Sequence, residues 1–273
     1  MLGKLMKYEF QASGRMMGLM VICALFITGV TSLSYALDIV WFQVTATTLL
    51  VLSMVAVIIF TYVVVAVRFF KSMYSREGYL TMTLPVSSSK LLGAKVIVSL
   101  IWLVLSIVVC VGMITLLLFL LYSGNTGSFF TEIANAFGTV DISIWAQYIA
   151  FFGGMLLMSM ILFLSQVFFA ITLANTAAFQ RYSIVSAVFL YLGISVVMSS
   201  VEAVLTMFVP LGFQMTSQGI QLVGQNMMGM IGTSGTASMS VTIGMAGTIF
   251  QFVEIVGLFF GTSQLIKRKL CIR

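Results

Sequence analysis

Residues 96–122 read VIVSLIWLVLSIVVCVGMITLLLFLLY, an uncharged apolar run longer than the roughly 20 residues an α-helix needs to cross a bilayer. Lys90 and Lys95 stand just before it, and the next charge after it is Glu132. Comparable runs lie on both sides along the chain: Met16 to Leu37, Trp41 to Val67, Ile144 to Ala174, Tyr182 to Pro210 and Val241 to Ile266. The chain is 61% hydrophobic and only 7% charged, against about 25% charged in a water-soluble globule. An all-α, polytopic membrane protein with six transmembrane helices is expected, organised as one transmembrane domain over residues 1–273. The first run exceeds the roughly 7 to 15 apolar residues of a secretory signal, so Ser34 and Ala36 are read as part of an uncleaved helix.

The 13 Lys and Arg residues fall into short stretches between the runs. Lys4, Lys7 and Arg15 precede the first. Arg68, Lys71, Arg76, Lys90 and Lys95 lie between the second and third, Arg181 between the fourth and fifth, and Lys267, Arg268, Lys269 and Arg273 after the sixth. Cytoplasmic loops collect positive charge, so these stretches mark one side of a plasma (inner) membrane, and the even number of spans puts both termini there. The opposite loops carry no Lys or Arg. The net charge of +6 therefore follows from topology and suits anionic lipid headgroups rather than nucleic acid. There is no histidine, and Cys23, Cys110 and Cys271 show no metal-site or pairing spacing, which argues against metal chemistry and a disulfide framework.

Residues Met1 to Arg15 have the pattern of a short amphipathic helix at the cytoplasmic interface, with Leu2, Leu5 and Met6 on one face and Lys4, Lys7 and Gln11 on another. Glu9 falls inside the apolar arc. On the outer side, Leu37 to Val40 is a tight turn holding Asp38, and Ser123 to Ser143 carries Glu132 and Asp141. Leu211 to Ser240 is uncharged and rich in Gly, Gln, Ser, Thr and Met. It is too polar to span and too apolar for a solvated loop, so an outer re-entrant or interfacial hairpin is expected before the last helix.

The longest cytoplasmic connection, Arg68 to Lys95, reads RFFKSMYSREGYLTMTLPVSSSKLLGAK. Gly78 suits the left-handed turn after a helix, Pro85 keeps Leu84 extended, and Ser87 to Ser89 supply an N-cap for the next helix. Glu77-Gly78, Leu84-Pro85-Val86-Ser87, Lys90 and Gly93-Ala94-Lys95 resemble the pattern between the second and third helices of ABC transporter permeases of the type-2 exporter class. The opening MLGKLMKYEF is similar to that of small bacterial members, and the six-helix layout matches along the whole chain. One departure is Lys90, where many relatives have arginine; it keeps the charge without the planar fork.

The resemblance implies a permease that works with a second permease, identical or homologous, and with a cytosolic ABC ATPase subunit. Residues 68–95 would be the coupling loop, with Glu77 and Gly78 at its bend, Arg76 and Glu77 able to form ion pairs with the ATPase, Pro85, Val86 and Ser87 as the ATPase-facing turn, and Lys90 following. Glu9 on the N-terminal helix would share in receiving the ATPase's motion. No G-x-x-x-x-G-K-[ST] phosphate loop occurs in the chain, so ATP would be bound by the partner subunit and this chain would need no cofactor and catalyse nothing itself. The substrate class implied is amphipathic or hydrophobic.

Glu202 and Glu254 lie within the last two spans. An intramembrane carboxylate faces a protein interior, a partner or a water path, because lipid exposure at a helix centre costs roughly 2.5 to 3.5 kcal/mol. The two acids thus mark a translocation path or helix interface, or else structural carboxyls. They also leave open an ion- or proton-coupled secondary transporter or channel. An intramembrane enzyme is the weakest class, for want of histidine or a paired-aspartate constellation. Gly14 with Gly18, and Gly257 with Gly261, have the G-x-x-x-G spacing of close helix contacts.

Overall fold

The computed structural model describes residues 2–74, 88–121, 131, 134–135, 138, 141–176, 183–216, 219–224 and 241–268. Six helices in these residues are long and apolar enough to cross a membrane. They are α1 (Leu2–Ala36), α2 (Val40–Tyr74), α3 (Ser88–Leu121), α4 (Ile142–Ala174), α5 (Ser183–Phe208) and α6 (Met245–Arg268). A small sheet of β1 (Gly212–Thr216), β2 (Gly219–Val223) and β3 (Val241–Gly244) precedes α6. The chain is a polytopic membrane protein, all-α apart from this hairpin sheet. It forms two compact units, Met1–Ile133 with Ile272–Arg273, and Ala134–Cys271.

In the first unit α1, α2 and α3 pack against one another. Met20 and Ala24 of α1, Leu50 and Val57 of α2, and Cys110 and Met113 of α3 meet at helical spacings of three, four and seven, which is how each helix keeps one stripe on the common core. Leu19, Ile22 and Phe26 point outward from α1 and remain exposed, as expected where the surrounding solvent is lipid. Two buried hydroxyls of α2 are satisfied within their own helix: Ser53 Oγ donates to Leu50 O at 2.7 Å and Thr61 Oγ1 to Val57 O at 2.8 Å. Between α1 and α2 the chain reverses within residues 37–39. Asp38 takes a φ of 53°, a left-handed conformation its short polar side chain tolerates, and its Oδ1 accepts a hydrogen bond from Gln43 Nε2 at 3.3 Å.

The amphipathic N-terminal stretch is helical, and the helix does not stop at Arg15. Residues 2–36 form one continuous rod, with Gly14 and Gly18 inside it. Its 35 residues reach about 52 Å, well beyond a hydrocarbon core of about 30 Å. Apolar content therefore sets where the membrane lies along the helix; it does not set where the helix ends.

In the second unit α4 packs against both α5 and α6. Leu164, Phe168 and Ile171 lie on its buried face, and Asn175 closes the helix by donating its Nδ2 to Ile171 O at 2.8 Å. The strand order is β2-β1-β3, with both pairings antiparallel. Phe213 lies opposite Leu222 on β2 and Ile243 on β3. The sheet is fixed to the start of α4: Tyr148 Oη donates to Thr216 O at 2.7 Å, and the Phe151 and Phe213 rings meet edge-on at 5.0 Å. The expected uncharged hairpin is thus built from strands, which pair the backbone groups that an apolar setting would leave unsatisfied. β3 takes the first residues assigned from sequence to the sixth span. Val241, Thr242 and Ile243 are β-branched and pair with β1, so the helix starts at Met245.

Candidate functional site

Glu9 is the eighth residue of α1, Ser72 lies in the last turn of α2 and Lys95 is the eighth residue of α3. Because α2 runs antiparallel to α1 and α3, all three residues come to one end of the unit, and there they join. Lys95 Nζ donates to both Glu9 Oε1 and Ser72 Oγ, and Ser72 Oγ is 3.3 Å from the same carboxylate oxygen, to which it donates. Lys95 is only 4% exposed. A buried ammonium survives only when paired and hydrogen-bonded, and the carboxylate and hydroxyl meet that requirement. Arg68, one helical turn before Ser72, brings its Nε to 3.9 Å from Glu9 Oε2. That is an ion pair but too long for a hydrogen bond, and the buried Nε makes none.

A second contact, one turn further along α1 and two along α3, reinforces the first. Trp102 Nε1 donates to Ser13 Oγ at 2.9 Å, and Ser13 Oγ donates to Glu9 O at 2.8 Å. The Trp102 indole also stacks on Phe10, with centroids 4.6 Å apart and planes 11° apart. A Cβ at Gly14 would lie 3.9 Å from Trp102 Cζ2, an ordinary contact, so the approach of α1 to α3 rests on the stack and the hydrogen bond rather than on that glycine. Together these contacts bind the N-terminal turns of α1 to both helices that flank residues 75–87.

Of the residues singled out from sequence, Glu9 is therefore at the centre of this junction, while Lys90 is exposed at the start of α3. Arg76, Glu77, Gly78, Pro85, Val86 and Ser87 lie outside the described residues. Arg68, Ser72 and Lys95 fall within the stretch read as the coupling loop, but their joining to Glu9, and the part of Trp102, were not anticipated. One signal pointed to them: an acid inside the apolar arc of an amphipathic segment needs a cation facing it.

The second unit holds two other polar contacts within its spans. Glu254 of α6 is 6% exposed and accepts a hydrogen bond from Gln166 Nε2 of α4 at 2.8 Å; Gln166 is itself 7% exposed. Glu202 of α5 accepts from Gln251 Nε2 of α6 at 2.6 Å. Gln251 and Glu254 are three residues apart and so on neighbouring positions of one helix face. Gly247 lets α5 come close: a Cβ there would sit 2.6 Å from Thr206 Oγ1 and 3.3 Å from Glu202 Oε1. Of the G-x-x-x-G pairs, Gly261 packs on the Phe169 ring, whereas Gly18 and Gly257 face open space. Among the described residues no group of three or more Cys, Asp or Glu gathers that could hold a metal ion. No family model, curated protein or solved structure matches the chain.

Proposed function

We propose that this chain is the permease subunit of an ATP-driven ABC exporter of the type-2 class, working as a dimer of permeases with two cytosolic ATPase subunits. It would move an amphipathic or hydrophobic substrate by alternating access, and both termini would face the cytoplasm of a bacterial-type inner membrane. The observation that carries this reading is the Glu9–Ser72–Lys95 junction. Force applied to residues 75–87 reaches α2 through its last turn and α3 through its first turns. Both are bonded to Glu9, so α1 is drawn along and the ends of three helices move as one body. A binding surface for a motor needs such a stiff mounting. The sequence resemblance of residues 77–95 supplies the kind of motor, and that step rests on family analogy.

Affinity purification of the tagged full-length protein from mild detergent tests the proposal. Recovery of a stoichiometric ATPase is expected, with loss of that ATPase in Glu77→Arg and retention in Glu202→Gln. A protein recovered alone that moves ions in liposomes, and stops doing so in Glu254→Gln, would overturn it. That result favours the ion- or proton-coupled reading, for which the buried Glu254–Gln166 pair is the supporting observation.

A further inference from the structure

On the side of α1 facing α3 lies a groove of about 540 Å³, within the roughly 300 to 1,000 Å³ range of small-ligand sites. Its lining is divided from side to side: Lys7 and, one turn further in on the same face of α1, Gln11 form a polar edge, and Gly3, Met6, Phe10, Val98 and Ile101 form the apolar floor. The contacts of α1 with α3 set the depth of each. Glu9 bonds Lys95, and Phe10 and Ser13 contact Trp102 two turns further into α3, so the groove runs from the charged end of the unit toward its apolar span. Phe10 and Ile101 are each 41% exposed, which leaves the apolar part open to the surrounding phase. Lys7 is exposed as well.

We propose that this groove binds one anionic phospholipid of the surrounding leaflet, with its phosphate at Lys7, its glycerol ester region at Gln11 and an acyl chain along Phe10, Val98 and Ile101. A cationic and polar edge, with Lys7 nearer the charged end than Gln11, beside an apolar floor matches a phospholipid's headgroup, ester region and acyl chain. Charge complementarity selects an anionic headgroup, because Glu9, the nearby acid, is already engaged by Lys95 and does not repel it. The proposal requires only that the unit span a membrane and stands apart from the exporter reading. Occupation would place a lipid against the Phe10 ring, which stacks on Trp102 at the junction.

Trp102 offers the readout. In a Trp41→Phe, Trp145→Phe background, the protein is reconstituted in phosphatidylcholine vesicles containing brominated-chain phosphatidylglycerol or, separately, brominated-chain phosphatidylcholine. Half-maximal quenching of Trp102 is expected at about fivefold less brominated phosphatidylglycerol, the preference a single cation near an anionic surface confers. Lys7→Gln should abolish the difference, whereas Lys71→Gln, exposed on α2, should keep it. Equal quenching by the two lipids, no quenching by either, or equal loss in Lys71→Gln and Lys7→Gln overturns the proposal. Should the tryptophan background fail to fold, native mass spectrometry of the otherwise unaltered protein released from mixed vesicles decides. Retained phosphatidylglycerol that Lys7→Gln removes supports the site, and adducts unchanged by Lys7→Gln refute it.

Discussion

The two units satisfy the acids on their packed helix faces in different ways. In the first, Glu9 meets a full cation, Lys95, with Ser72 and Arg68 around it, near the charged ends of three helices. In the second, Glu254 and Glu202 lie within spans and meet neutral amides, Gln166 and Gln251. Long cationic side chains are affordable where a helix end approaches water, because their charge can be shared with the interface. Deep in a span an added ammonium would need its own desolvation repaid, and a glutamine supplies a donor without that demand. The first arrangement is a strong tie that fails badly when half of it is removed; the second is a weaker tie with a graded response.

Lys95→Met should show the largest effect: it takes the nearer cation from Glu9, which keeps only the longer ion pair with Arg68, and leaves the buried Ser72 Oγ without its ammonium donor. A destabilisation of about 3 to 5 kcal/mol is expected, read as a fall in thermal unfolding midpoint in detergent micelles. Adding Glu9→Met to it should restore much of the loss, since two apolar residues then replace the pair; a double variant no better than Lys95→Met would break the comparison. Glu254→Leu comes next, at about 1 to 3 kcal/mol, because it strands the Gln166 amide. Glu254→Gln keeps an acceptor for that amide and should stay near wild-type stability. If it also transports normally at normal membrane abundance, the carboxylate has no functional charge. Ser13→Ala is the smallest, about 0.6 kcal/mol, the typical worth of a hydrogen bond between membrane helices, accompanied by a shift in Trp102 emission.

The spans were legible because an uncharged run of twenty or more residues has few other solutions. The end of the first helix was not: Lys4, Lys7, Gly14 and Arg15 resemble a boundary in composition, yet α1 passes through them because helix continuity needs only backbone hydrogen bonds. β3 was hidden in the same way, as Val241 to Ile243 are apolar enough for a span and only their pairing with β1 makes them a strand. At the junction Glu9 announced itself by its place in the apolar arc. Its partner Lys95, 86 residues away, did not, since no periodicity encodes a contact between separate helices. Gly247 was likewise one of 23 glycines until the approach of Thr206 distinguished it.

The turn at Asp38 bears on all of this. Two rods of 35 residues each are joined there by only residues 37–39, so their tips at that end cannot part by more than a short peptide allows. The pair is therefore built like tongs with a fixed pivot, and any spreading of α1 from α2 must be widest at the handles, where the grip of Glu9 on Ser72 and Lys95 acts as the catch.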